Sequence, residues 1–413
     1  MAAEVVLLHY SAPPVVGGVE SVLAEQARRL KDAGYRVRVV AGRSRRGHAE
    51  VFPLLYGRHP EVQRAHGAAL RGDLAPVWRL AERIASELAP RVEGCVCLAH
   101  NVFTTAKNLP LLVALHRLLD GGVRCRWVAW THDVVWDSPS ELARVPTPLR
   151  PFLRARPEVT YVATSEAVRG SLAEHLRLDG SRVEVIPPGV SFEGLGLVGP
   201  QARRVLREVR WLERYPVLLV PVRITRRKNL ELAVRVAACL RGQGLDPLVV
   251  VTGPLGAHTS ANARYLEELQ RLRDRLGVRD HVVFLAERGV RCSPRTVGEL
   301  YLLCDAVLIP SVLEGFGLPV AEAGLLRVPV FCSRIPAAVE VAGPLASFFD
   351  VEEPPESVAE RIVRELAADR ASGLRRRVVE RFRWDRVARL GLIPLVERLC
   401  SQVASDRLQW GRG

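Results

Sequence analysis

Apolar residues fall along this chain in two alternating patterns. Short, mainly apolar runs, such as Val5 to Leu8, Val37 to Val40, Arg126 to Trp130 and Val159 to Thr164, read as strands, and Ala306 to Ile309, rich in branched residues, as a strand buried on both faces. Between them, apolar positions recur three and four apart, as in Val19, Val22, Leu23, Ala27 and Leu30, which predicts a helix ended by Gly34. The alternation continues with a helix over Val77 to Leu88, a strand over Gly94 to Ala99, a helix over Leu109 to Leu119 and a strand over Val183 to Ile186. Pro187-Pro188-Gly189 then breaks it, and the glycine-rich stretch to Pro200 reads as a linker. A second alternation follows. Its strands are expected over Val217 to Val222, Leu248 to Val251, Val282 to Leu285, Ala306 to Ile309 and Val328 to Cys332. Its helices carry Leu232, Val236 and Leu240, or run over Tyr265 to Leu276, or end at Leu300 to Cys304. Ser357 and Glu360 have the spacing of a capping box for a helix through Leu366. Arg383-Trp384-Asp385 opens a last amphipathic segment that would suit a helix packing across both domains. Strands alternating with helices predict an α/β fold of doubly wound parallel sheets. At 413 residues the chain exceeds one ordinary core, so domains are expected over 1–190 and 200–380, with 381–413 as a final helical segment.

Charge changes the list of partners. The formal net charge is +14, yet lysine occurs only at Lys31, Lys107 and Lys228, so the excess is arginine scattered along the chain, as a compositional bias leaves it. With no aromatic-basic segment or zinc-finger spacing, nucleic acid is not expected. A peripheral contact with an anionic membrane, or a phosphorylated substrate, fits the charge. None of the eight cysteines forms a C-x-x-C pair, and most lie in apolar runs where a thiol is a small core residue. No run approaches a membrane span, and Met-Ala-Ala-Glu is not a basic signal-peptide start. A cytoplasmic protein, peripheral at most at the inner membrane face, is expected.

The candidate chemistry lies where predicted strands give way to helices. After Ala306 to Ile309 comes a loop with Gly315 and Gly317, and Pro319 suits the first position of the next helix. Glu314 in the loop and Glu322, expected in the first helical turn, place two carboxylates where free backbone N–H groups gather. After Val217 to Val222, Arg223 and Lys228 bracket a basic loop, with Asn229 as candidate helix cap. That is an anion site with two cations, or a solvated turn. Gly253 follows the next strand, and the 256–262 loop reads as a lid or a surface excursion. In the first half, Gly17-Gly18 lies between a strand and a helix, and serves a ligand or a tight turn. His132-Asp133 ends a strand where ligands of such sheets bind, and His100-Asn101 ends another in the same way.

These signals, in this order, resemble the GT-B retaining glycosyltransferases that use nucleotide sugars, in particular family 4 (glycosyl transferases group 1). The resemblance covers nearly the whole chain and rests on Gly17-Gly18, the Arg223/Lys228 pair, Gly253, Glu314-Gly-Phe-Gly-Leu-Pro-Val-Ala-Glu322 and Pro329-Val330. It implies two Rossmann-like domains facing across a cleft, with a C-terminal helix crossing back to the first. It further implies that Arg223 and Lys228 hold the donor diphosphate, that Glu322 binds the ribose, and that Glu314 binds the transferred sugar. Backbone N–H groups from Phe316 through Gly317 to Leu318 would contact sugar and phosphate. Gly17, Gly18 and Gly253 would approach the donor, and His132 would stand beside donor and acceptor. The implied substrates are a UDP- or GDP-hexose and a hydroxyl acceptor, transferred by front-face attack with no metal and no other cofactor. Val222 and Arg327 depart from the family by replacing glycines, without removing a charged group. A sugar-nucleotide-binding protein without turnover is the alternative; a dinucleotide oxidoreductase lacks its glycine fingerprint. Lys228→Ala and Glu322→Ala are expected to lower transfer and leave the fold intact.

Overall fold

The computed structural model describes all residues except 1–3, 16, 46, 193, 255–259 and 411–413, together with the side chains of all of these but 260 and 407–410. The chain divides into two compact units, Met1–Val190 with Arg381–Gly413, and Ser191–Glu380.

The first unit is built on strands β1 (Glu4–His9), β2 (Val37–Ala41), β3 (Glu50–Val51), β4 (Cys95–His100), β5 (Arg126–Thr131), β6 (Val159–Ala163) and β7 (Val183–Val185). They form one parallel sheet in the order β3-β2-β1-β4-β5-β6-β7. Successive side chains point to opposite faces, and both faces are covered, which is why the strands read as continuous apolar runs. Val6, Leu8, Cys97 and Ala99 pack into one core with Ile84, Leu112 and Leu115 of two helices. Val5, Leu7, Val96 and Leu98 share the other with Leu23 and Leu30 of the helix Gly18–Asp32. The same core takes in Leu395, Val396 and Leu399 of the helix Ile393–Trp410, so the end of the chain completes the first sheet. Full burial of each such side chain is worth about 1.5–3 kcal/mol. Ion pairs of Arg126 with Asp406 and Arg398 with Glu184 fasten the same helix. Gly189 permits the return: a Cβ there would lie 2.6 Å from the Trp384 ring.

The second unit contains β8 (Val217–Val220), β9 (Leu248–Val251), β10 (Val282–Phe284), β11 (Ala306–Ile309), β12 (Val330–Ser333) and β13 (Ser347–Phe349). These also form a parallel sheet, in the order β10-β9-β8-β11-β12-β13. In each sheet the winding reverses once, between β1 and β4 and between β8 and β11. In open sheets of this kind ligands bind at such a reversal, beyond the carboxyl ends of the strands.

Several local expectations change. The helix Pro60–Leu70 and strand β3 were not anticipated, and the helix Pro200–Glu208 begins at the residue where the linker was expected to end. Ser357 lies inside the helix Pro355–Ala368, which starts on a proline after Pro354, so the capping box does not form. Asn229 occupies the cap position before Leu230–Gly242 with φ of 46° and no side-chain cap bond. Asparagine tolerates that left-handed geometry because its short side chain clashes least there. Part of the 256–262 loop lies outside the described residues; 260–262 already belong to the helix Ser260–Arg275.

Candidate functional site

In the second unit, two loops leave the sheet side by side at the β8/β11 reversal. The first carries Arg223 and Lys228. Its path depends on Gly253: a Cβ on that residue would sit 2.6 Å from the Arg223 amide nitrogen and closer still to the Val222 carbonyl. The 222–223 peptide therefore crosses the end of β9 against bare backbone, and Ile224 donates its N–H to the Pro254 carbonyl at 3.2 Å. Gly253 thus earns its place by a backbone crossing. Beyond it, Arg226–Lys228 form one 3-10 turn, and the Lys228 side chain turns inward.

The second loop follows β11. Val312 donates to the Arg227 carbonyl at 2.9 Å, which docks one loop on the other. Lys228 forms an ion pair with Glu314, both side chains less than a tenth exposed, and Ser311 Oγ donates to the same carboxylate oxygen at 2.7 Å. The expected cation and one expected carboxylate are thus together, and they hold each other. Arg223 is exposed and has no ion-pair partner among the described residues. Phe316 and Leu318 are exposed. Gly317, at φ of 94°, is the residue before the helix Leu318–Leu325, a conformation that favours glycine. Pro319 is therefore the second helical residue rather than the first. Glu322 falls in the second turn, a turn later than expected, and accepts a hydrogen bond from Tyr301 at 2.7 Å. Burial and that carboxylate push the Tyr301 hydroxyl's pKa far up, which keeps it a donor.

In the first unit, Gly17 precedes the helix that starts at Gly18. A Cβ on Gly17 would meet the Glu20 carboxylate, its carbon 2.9 Å away, while one on Gly18 would meet nothing. Glu20 also accepts from Ser11 Oγ at 2.5 Å. His132 is joined to a row of rings at the carboxyl ends of β1, β4 and β5 that the sequence did not reveal in full. His9 Nδ1 lies 2.9 Å from the His100 carbonyl, and His100 Nδ1 lies 3.0 Å from His132 Nε2. Because a carbonyl only accepts, His9 carries its proton on Nδ1. His100 Nε2 is buried without a partner among the described residues. A proton there would strand a buried donor, which costs more than a stranded lone pair. His100 therefore donates from Nδ1 to His132 Nε2, and His132 keeps its own proton on Nδ1. Burial lowers all three pKa values, that of His132 to about 4, with the field of His9 acting in the same direction. His132 is thus a neutral imidazole with one N–H to offer. Asn101, at φ of 60°, fixes its loop by accepting the His132 and Asp133 amides at 2.7 and 3.1 Å and donating to the Asp133 carboxylate at 2.9 Å. Among the described residues no cluster of His, Cys, Asp and Glu has the makings of a metal site.

Two family models match the chain: Glycosyltransferase Family 4 over residues 16–193 and Glycosyl transferases group 1 over residues 203–383. The chain belongs to this family of GT-B glycosyltransferases. A D-inositol 3-phosphate glycosyltransferase of Mycolicibacterium smegmatis is 30% identical over 50% of this chain and 46% of its own. The chain thus spans about half the length of that curated relative. A protein of the same description from Salinispora arenicola is 27% identical over 92% of this chain and 87% of its own. Among solved structures, the sucrose-phosphate synthase of Thermosynechococcus elongatus is 18% identical, covering 97% of this chain and 100% of its own. The TM-score is 0.37, too low to bear on the site.

Proposed function

We propose that the chain transfers a hexosyl group from a UDP- or GDP-sugar to an acceptor hydroxyl, with retention. The observation that carries this reading is the Lys228–Glu314 pair at the strand reversal, beside an exposed Arg223 with no ion-pair partner among the described residues. Lys228 and Arg223 would take the diphosphate, and their charge would stabilise the phosphate as it leaves, in place of a metal. Glu314, relieved of its lysine, would accept from hydroxyls of the transferred sugar, and Glu322 from the ribose. Backbone amides of 316–318 would reach sugar and phosphate. Gly17 and Gly18 would come close to the donor, and the His132 Nδ1–H would hydrogen-bond sugar or acceptor. In the front-face step the bond from the anomeric carbon to the donor phosphate oxygen breaks. The acceptor oxygen bonds that carbon on the same face, and its proton passes to the departing phosphate. No metal or other cofactor enters this scheme.

No helix among the described residues is long and apolar enough to cross a membrane. The arginine excess suits a cytoplasmic protein resting on an anionic membrane face. A thermal-shift screen with UDP- and GDP-sugars, followed by assay of nucleoside diphosphate release with acceptor extracts, tests the reading. Stabilisation by a nucleotide sugar and release in its presence are expected. Stabilisation without turnover leaves a binding protein in its place, and neither sinks both readings.

A further inference from the structure

A cavity of about 740 Å³ opens on the first unit among segments that leave the carboxyl ends of its strands. Tyr10 follows β1, Arg58 follows β3, Lys107 follows β4 and Arg144 follows β5. Three cations line this cavity against one carboxylate, Glu141. On the neighbouring elements Arg38, Arg83 and Arg91 are each paired with glutamates. Arg58 and Arg144 have no side-chain hydrogen bond or ion pair among the described residues. Lys107 reaches only Asp133, at 3.9 Å and in solvent.

The walls are built for contact. A Cβ on Gly57 would run into the Lys107 carbonyl, so glycine brings the Arg58 loop directly onto the Lys107 loop. His66 Nε2 accepts the Leu109 amide at 2.8 Å. An amide only donates, so neutral His66 carries its proton on Nδ1, a donor with no partner among the described residues. A chain of hydrogen bonds links the cavity wall to the His132 loop. Tyr10 bonds Thr105 at 3.0 Å, Thr105 bonds the Asn101 carbonyl at 2.8 Å, and Asn101 holds the His132 amide.

We infer that this cavity binds a phosphate monoester group carried by the acceptor, with Arg58 and Arg144 as its principal partners. The excess of two positive charges matches a phosphate monoester, close to a dianion at neutral pH, better than a single carboxylate. Guanidinium forks suit its oxygens, and the His66 N–H adds a neutral donor. The inference rests on the reading of the first unit as the acceptor side.

Isothermal titration with inorganic phosphate and glycerol 3-phosphate tests it, on the full chain and on Arg58→Gln, Arg144→Gln and Lys228→Ala. Both arginines are exposed, so the two arginine variants should keep the parent melting temperature. Binding to the parent and to Lys228→Ala, weakened about tenfold in each arginine variant, is expected. Equal binding in the parent and the arginine variants, or loss in Lys228→Ala alone, would overturn the inference. Co-sedimentation with phosphatidylcholine vesicles, with and without phosphatidic acid, separates the sources. Sedimentation that needs phosphatidic acid and Arg58 points to a lipid phosphate. Titration binding without it points to a soluble ester. UDP stabilisation is read separately: its absence beside arginine-dependent phosphate binding would sink the donor reading and leave this site standing.

Discussion

Replacing Lys228 separates what it does for the fold from what it does for the reaction. In Lys228→Met the Glu314 carboxylate stays buried, with the Ser311 hydroxyl as its remaining side-chain partner. Breaking a buried pair from one side costs about 3–5 kcal/mol, because the stranded charge keeps its desolvation penalty. For a unit of this size each kcal/mol lowers the melting temperature by about 2–4 °C, so a loss of roughly 6–20 °C is expected. The double variant Lys228→Met/Glu314→Gln leaves no buried charge and should recover most of that loss. Urea denaturation with hydrogen-exchange mass spectrometry of peptides from 217–333 reads the second unit alone. If Lys228→Met loses less than about 1 kcal/mol, or the double variant is no more stable than the single, the buried-pair argument fails. Transfer is the second readout. The double variant should be stable and still inactive, since the cation proposed to hold the diphosphate is gone; a stable and active double variant would remove Lys228 from the proposed donor site.

Three further outcomes follow from the geometry. Gly253→Ala forces the 222–223 peptide aside, at about 1–3 kcal/mol for overpacking. A displacement of Arg223 by about 1 Å should lower kcat/KM roughly a hundredfold, and unchanged kinetics would show that Arg223 does not act from that loop. His132 has a folded pKa of about 4 against 6.5 unfolded, so its contribution to stability is complete above pH 6.5 and is lost as pH falls toward 4. His9 and His100 shift in the same direction. The melting temperature should therefore drop over that window, and less steeply in His132→Gln; parallel profiles would contradict the assignment. Long-range proton–nitrogen correlation spectra of histidine-labelled protein should show neutral His132 protonated on Nδ1, switching toward Nε2 in His100→Phe. An Nε2 proton in the parent would refute the tautomer derived from the stranded His100 nitrogen.

The parts of the fold legible in the sequence are those fixed by local pattern. Ala306–Ile309 is a strand over the residues expected, because four apolar residues bounded by Asp305 and Pro310 fit a strand buried on both faces. The helix Pro60–Leu70 had usable signals, Pro60 at its start and Val62, Ala65 and Ala69 on its buried face. The backbone crossing at Gly253 could not be read from the sequence, because it depends on the 222–223 peptide lying against that residue. The histidine row was hidden because the register of β1, β4 and β5 creates it. Lys228 was expected to be dispensable for folding, and only the structure shows it buried on Glu314.

That pairing sharpens the account of the donor site. With Lys228 held by Glu314, a diphosphate that draws the lysine away leaves a buried carboxylate short of a partner. Nucleoside diphosphate alone must bear that cost, whereas a nucleotide sugar brings hydroxyl donors that can take the lysine's place on Glu314. The parent should therefore prefer the nucleotide sugar over the free diphosphate, and Glu314→Gln should narrow the preference mainly by binding the diphosphate more tightly. A preference unchanged in that variant, measured by titration with both ligands, would mean that phosphate and sugar are recognised independently. On the coupled account, discrimination against the spent donor is built into one buried ion pair, and the arginine-rich surface around it contributes attraction without that selectivity.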